Sequence, residues 1–526
     1  MRILVALLAL AIAAPAGAEE WWRAETDHFV IKSRDSEKET REFAADLERF
    51  DSALRSLQNM PIGEAEKSTA NKLTVYRFGN QTDIARMAGS SESGIAGFFI
   101  SNAGRSVAFV PANKKRSTSI KTKVDEDTQL NEKTVLQHEY THYFMLQHFP
   151  AAYPAWYVEG YAELLGTIRL NDDGSFFVGE PPLHRTYQLT QMAQFRLEDM
   201  LDANHKVTGL EAYQFYGTGW ALTHYLNFAP GRLAQLNEYL AAIGQGEDSL
   251  TAAKRIFGDL GQIEKELRGY IRTRMPGINV KPDNYAPPKV AMRPMTDAEA
   301  AVIRTEMRLG RGVDPKHAKD LLADAKAQAV QYAADYHAQA ILAEAQLQAE
   351  NLDEAERIGT QLLDTDPSAM DGWLILGSAA TQRIKDDPTQ AAKAREYFGK
   401  AAMLDRNDPR PLIGFYYTYV KAKEEPPEDA IIALETAFDH AGTDVGYRLL
   451  LARQLTSENR LDTARTVLLP IAFRGHDQGE EAGKENDDKP SLTKLLALVS
   501  RGERDAAIAM MDKMFEEEEE DGAEGG

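Results

Sequence analysis

Two histidines one helical turn apart are the residues of this chain whose types and spacing most clearly suggest chemistry. In "LQHEYTHYFMLQ" (136–147), His138 and His142 bracket Glu139, Tyr140 and Thr141. On an α-helix residues i and i+4 share a face, so both imidazoles can address one cation with Glu139 beside it. Catalytic zinc takes three protein ligands and keeps a fourth position open, so the pair is half a site. In "PAAYPAWYVEGYAELLG" (150–166), Pro150 and Pro154 break the first helix and start a second. Glu159 then lies 17 residues after His142, and Glu163 falls on the same face as Glu159. That spacing lets Glu159 complete the metal site while Glu163 hydrogen-bonds the free nitrogen of a ligand histidine. Glu163 as the ligand in place of Glu159 is the alternative.

"HEYTH" followed by "WYVEGYAE" resembles the gluzincin metallopeptidases, in which H-E-x-x-H is completed by a Glu on the next helix. The pair is most similar to bacterial peptidase MA-like domains, whose second motif is W-x-x-E-G-x-A-E. The resemblance is specific over 138–163 and loose over 22–275. It implies an α+β zincin-like catalytic domain with one Zn2+ per chain, held by His138, His142 and Glu159, and Glu139 as general base. It also implies a tyrosine facing the scissile carbonyl. "YGTGWALTHYL" (216–226) offers Tyr216, with His184 and His224 as alternative donors and His148 and His205 as structural or surface residues. An edge strand that pairs with extended peptide is implied before the zinc helix, the place of "RSVAFVP" (105–111). No G-x-M-E-N stretch, which would hold a free substrate amine, is present, so an endopeptidase is expected. The chemistry would be metal-assisted hydrolysis: zinc polarises the carbonyl and lowers the pKa of its water, and Glu139 carries the proton to the leaving amine. The same residues would serve an amide hydrolase acting on cell-wall peptides.

The elements that must position these residues are partly legible. Val135, Leu136, Phe144 and Met145 anchor the first helix, with Thr134 as its expected cap. Ahead of it, 19–131 reads as an α+β lobe. Strands are expected at "HFVIKS" (28–33), "KLTVYRF" (72–78), "GIAGFFI" (94–100) and "RSVAFVPA" (105–112), and a helix capped by Ser36 and Glu39 buries Phe43, Leu47, Phe50, Leu54 and Leu57. Residues 113–131 read as an exposed loop, and 132–275 as a helical lobe carrying the site.

A segment with five prolines, 276–295, reads as an extended linker, after which Thr296 and Glu299 form a second capping box. From 296 to 515 the chain reads as an all-α solenoid. "WLILG" (373–377) looks like the start of a tetratricopeptide repeat, and helix-pair spacing recurs through Ala394, Phe398 and Ala401, then Ala430, Leu434 and Ala437. The acidic end, 516–526, reads as disordered.

Composition bounds the rest. The 526 residues, 43% apolar, exceed one ordinary domain, and a net charge of −21 argues against a nucleic-acid partner. With no cysteine, any metal site must use His, Asp and Glu. Residues 1–18 read as a signal peptide cleaved before Glu19, and no later segment is apolar enough to span a bilayer. The expectation is an exported, soluble zinc metallopeptidase, periplasmic or secreted, acting on peptide or protein substrate, with repeats that recruit substrate or a protein partner. A tetratricopeptide binding scaffold with a latent or degenerate zincin domain is the alternative.

Overall fold

The computed structural model describes residues 20–89, 97–112, 132–192, 194–202, 205, 207, 210–472 and 490–523. The expected signal peptide and the loop at 113–131 lie outside these residues.

A six-stranded mixed sheet organises the first part of the chain. Its strands are β1 (Trp22–Glu25), β2 (Phe29–Ser33), β3 (Leu73–Arg77), β4 (Phe98–Ile100), β5 (Val107–Val110) and β9 (Ala291–Pro294), in the order β4-β5-β3-β2-β1-β9. The β2–β3 and β3–β5 pairs are parallel and the others antiparallel. Side chains alternate across the sheet. Phe29, Ile31, Leu73, Val75, Ala108 and Val110 join the core beneath α1 (Glu37–Leu57), whereas Tyr76, Val107 and Phe109 face the opposite way. The Ser36–Glu39 capping box starts α1 as expected.

One expectation is corrected by this order. "RSVAFVP" forms β5, which has partners on both sides, and among the described residues the edge belongs to β4 from "GIAGFFI". An open backbone row for an extended peptide can therefore exist on β4 and not on β5.

Beyond α2 (Gln81–Met87) come α3 (Glu132–His148) and α4 (Ala155–Gly166). Helix α3 starts before Thr134, so that residue lies in the first turn and is not the cap. A three-stranded sheet follows, made of β6 (Arg169–Leu170), β7 (Phe176–Val178) and β8 (Ile278–Val280). Between β7 and β8 lie α5 (Thr186–Gln191), α6 (Leu197–Leu201), α7 (Leu210–Phe228), α8 (Arg232–Gly244), α9 (Ser249–Phe257) and α10 (Leu260–Tyr270).

The proline-rich segment is extended, and both sheets use it. Ile278–Val280 pairs with β7, and Ala291–Pro294 is the far edge of the large sheet. Pro294 is tolerated there because an edge strand needs only one row of hydrogen bonds.

After it, helices pack in consecutive pairs: α11 (Asp297–Arg311), α12 (Ala318–Ala329), α13 (Tyr336–Gln348), α14 (Leu352–Thr365), α15 (Met370–Arg383), α16 (Gln390–Leu404), α17 (Pro409–Ala422), α18 (Glu428–Ala441), α19 (Val445–Ser457) and α20 (Leu461–Ala472). Then come α21 (Leu492–Ser500) and α22 (Arg504–Ala523). Phe398 illustrates the stacking. Cβ atoms built on Gly377 of the preceding helix and Gly414 of the following one would lie 2.7 Å and 2.6 Å from its ring, so glycine makes the slot it fills. The acidic end expected to be disordered is helical through Ala523, because α22 is anchored by buried Ala507 and Met511 and glutamate is a strong helix former.

The stack lies against the sheet. Ile303 and Met307 of α11 pack on Tyr76, Val107 and Phe109. Glu306 accepts from Lys32 on β2 and, at 3.0 Å, from the Tyr76 hydroxyl. Arg105 reaches Glu344 of α13 through two bonds of 2.5 and 2.7 Å. Among the described residues, no helix is long and apolar enough to cross a membrane.

Candidate metal centre

Helix α3 buries Val135, Leu136, Tyr140, Phe144 and Met145, which fixes its rotation and turns His138 and His142 toward α4. On α4, Glu159 faces both. His142 Nε2 lies 3.0 Å from His138 Nε2, and Glu159 Oε2 lies 3.3 Å from the first histidine's Nε2 and 3.6 Å from the second's. Ligands about 2.05 Å from a tetrahedral zinc stand about 3.3 Å apart. The three separations bracket that edge, and the donor set of two imidazoles and one carboxylate suits zinc. Glu159 is 1% exposed, whereas the histidine side chains keep 12% and 15% of their surface, so the opening to solvent is on the histidine side.

Glu163 has a wider role than expected. Its Oε1 is 3.7 Å from His138 Nδ1, long for a hydrogen bond, while Arg185 donates to that same oxygen at 2.6 Å and His184 Nε2 lies 3.2 Å from Oε2. Burial alone would raise the Glu163 pKa; His184, Arg185 and His138 together bring it down to about 2. Burial likewise acts to lower the His138 pKa, but Glu159, Glu163 and Glu139 raise it.

Glu139 is half-buried, and its charge acts on both His138 and Tyr216. The Tyr216 ring, on α7, lies 6.5 Å from the His138 ring and under the Arg185 guanidinium at 5.0 Å. Burial, then the carboxylate of Glu159, pushes its hydroxyl pKa upward, so it stays protonated and able to donate. The alternative donors are engaged elsewhere. His184 contacts Glu163, and His224 is wholly buried between the Tyr270 hydroxyl (2.9 Å) and the Gly179 carbonyl (3.2 Å). Burial lowers the His224 pKa to about 4.

Gly160 and Arg185 also shape the site. A Cβ on Gly160 would stand 2.4 Å from the Gly219 carbonyl oxygen of α7, so the glycine beside Glu159 lets the Tyr216 helix approach. The E-G pair in "WYVEGYAE" is the sequence signal for it. Arg185 sits on a 3-10 turn, Leu183–Arg185, without periodicity to mark it.

A second cluster, His28, Glu48 and Asp51, also has its ligand atoms within 4.8 Å. Here the imidazole is spent. Nδ1 lies 2.5 Å from Glu48 Oε1, and Nε2 lies 2.9 Å from the Glu64 carbonyl oxygen, which can only accept. Burial would lower the His28 pKa, but Asp51 and Glu48 raise it to about 9. This is an imidazolium between carboxylates and not a cation site.

No known family model matches the chain, and no curated protein matches it. Among solved structures, the chain is similar to a thermophilic TPR protein from Thermus thermophilus, at 18% identity and a TM-score of 0.30, over 38% of this chain and 98% of that one. None of these comparisons supports the gluzincin resemblance.

Proposed function

We propose that the protein is an exported zinc-dependent endopeptidase acting on peptide or protein substrates. The observation that carries this reading is the trio of His138 Nε2, His142 Nε2 and Glu159 Oε2 at 3.0, 3.3 and 3.6 Å, contributed by two helices that cross with Glu139 beside them. One zinc ion per chain would be held by these residues; when bound, it supplies a Lewis acid that polarises the amide carbonyl and acidifies water. Glu139 takes the water's proton and delivers it to the leaving amine. Tyr216 donates to the oxygen on which charge develops. Glu163, held by Arg185 and His184, acts on His138 through its charge. Export rests on the sequence of residues 1–18 alone.

The paired helices of α11–α20 favour a second reading, a protein-binding scaffold in which the repeats are the working part. Metal content and hydrolysis of a diverse peptide library separate the two when measured on the full chain and on Glu139→Gln. The peptidase reading expects about one zinc in both and hydrolysis reduced on the order of 10²–10⁴-fold in the variant. A parent purified without chelator that carries no stoichiometric zinc refutes the metal site, and one that holds zinc yet cleaves nothing favours the scaffold.

A further inference from the structure

The end of the metal-bearing helix is held by the repeat array. Pro150 follows α3 by two residues and has no N–H, so it cannot donate to the carbonyl of Leu146, four residues earlier. That carbonyl finds its donor on α19. Arg448 Nη2 donates to Leu146 O at 3.3 Å, its Nη1 donates to Val467 O at 2.9 Å, and its Nε donates to Gly442 O. Arg448 is 1% exposed, with its guanidinium 5.0 Å from the Phe438 ring centre. Beside it, Gln147 Nε2 donates to Asp439 O at 3.1 Å.

A buried cation suits this position because the last carbonyls of a helix carry the negative end of its dipole. Gly442 follows α18 directly, so Arg448 joins the C-terminal ends of α3 and α18 and the interior of α20. Leu146 is one turn beyond His142 on the same helix face. The direction of the His142 ring therefore depends on a turn whose missing hydrogen bond is supplied by a residue 302 positions along the chain.

We infer that Arg448, with Gln147 beside it, is a positioning residue for the metal centre: the repeat array sets the last turn of α3 and thereby His142. This rests on the metal-site reading for its consequence and on the Pro150–Leu146–Arg448 geometry for its structure. In this arrangement the array holds the end of the helix that carries both histidines.

The test uses the full chain with Arg448→Met and Arg448→Lys, and reads two quantities. One is zinc affinity by chelator competition; the other is amide exchange along α3 in the metal-free protein. Arg448→Met is expected to weaken zinc on the order of 10–100-fold, the range seen when partners of a ligand are removed. It should also deprotect the amides of residues 145–149 while those of α1 stay protected, with Lys recovering part of both. Zinc affinity within twofold of the parent and unchanged exchange in a folded Met variant overturn the inference. If Arg448→Met does not fold, Gln147→Ala carries the test: selective deprotection of 145–149 supports it and unchanged exchange overturns it. Should the parent bind no zinc, the peptidase reading fails separately, and exchange alone decides the positioning claim by the same two outcomes.

Discussion

Among the described residues, two groups of three bring histidine and carboxylate atoms within 4.8 Å of one another, yet their atoms are engaged in different ways. At His138, His142 and Glu159 the nitrogens converge on one another and on a carboxylate oxygen, with part of both rings open to solvent. At His28, Glu48 and Asp51 both ring nitrogens meet fixed acceptors, and every member is buried. Asp51 is spent as well, since Arg55 donates to it at 2.6 Å and the Tyr140 hydroxyl at 2.7 Å. Proximity of ligand types is thus a weak criterion. What distinguishes the two is that the ring nitrogens of the first face one another and a shared carboxylate, whereas those of the second face separate acceptors.

The sharpest way to break the contrast is to remove one histidine from each cluster. His142→Ala leaves two ligands, so stoichiometric zinc should vanish from metal analysis. The rise in melting temperature on adding zinc should vanish with it, a linkage worth about 4 kcal/mol at a thousandfold excess over Kd. His28→Ala should do the reverse: one zinc is retained, while denaturant unfolding shows a loss of about 3–5 kcal/mol, because the buried Glu48 carboxylate loses its cation while Asp51 keeps Arg55. Loss of zinc from the His28 variant, at a concentration where it is still folded, would erase the distinction.

The two clusters also differ in how far they can be read from sequence. His138 and His142 are legible because their relation is local to one helix, and Glu159 because a proline-started helix returns after a short reversal. Tyr216 can be reached only through the resemblance, since nothing local ties α7 to α3. His28–Glu48 joins the bend before β2 to α1 across 20 residues, and no periodicity marks it. The same limit applies to the sheet. β4 and β5 are both recognisable as strands, but which of them forms the edge depends on β5 pairing with β3, a non-local choice. Prolines disguise 291–294 as plain linker because the edge position that tolerates Pro294 is defined by β1. The helix-pair spacing is readable, whereas its packing under the sheet through Glu306 and Glu344 is not.

pH sharpens the contrast further, with opposite signs. The folded pKa of His28 is raised from 6.5 to about 9, so its stabilisation is fully present below pH 6.5 and is lost as pH rises through about 9. That rise corresponds to about 3 kcal/mol, which unfolding curves between pH 6 and 10 should show in the parent and not in His28→Gln. Zinc binding should strengthen over the lower part of that range, because ligand imidazoles must be neutral. A parent whose stability is flat from pH 6 to 10 would rule out the buried imidazolium.

The smallest effect belongs to the residue that touches both regions. Tyr140 lies inside "HEYTH" yet points away from the metal ligands, its hydroxyl on Asp51 and its ring 5.1 and 6.0 Å from Phe29 and Phe50. Phenylalanine fits the same space, so Tyr140→Phe removes one hydrogen bond to a carboxylate and little packing. The expected cost is about 2 kcal/mol in denaturant unfolding, in the range for bonds to charged groups. Zinc affinity should change less than tenfold, because Leu136, Phe144 and Met145 still hold the helix face. A variant that keeps its stability but releases zinc would place Tyr140 with the metal centre, and the boundary between the two clusters would have to be redrawn through the middle of α3.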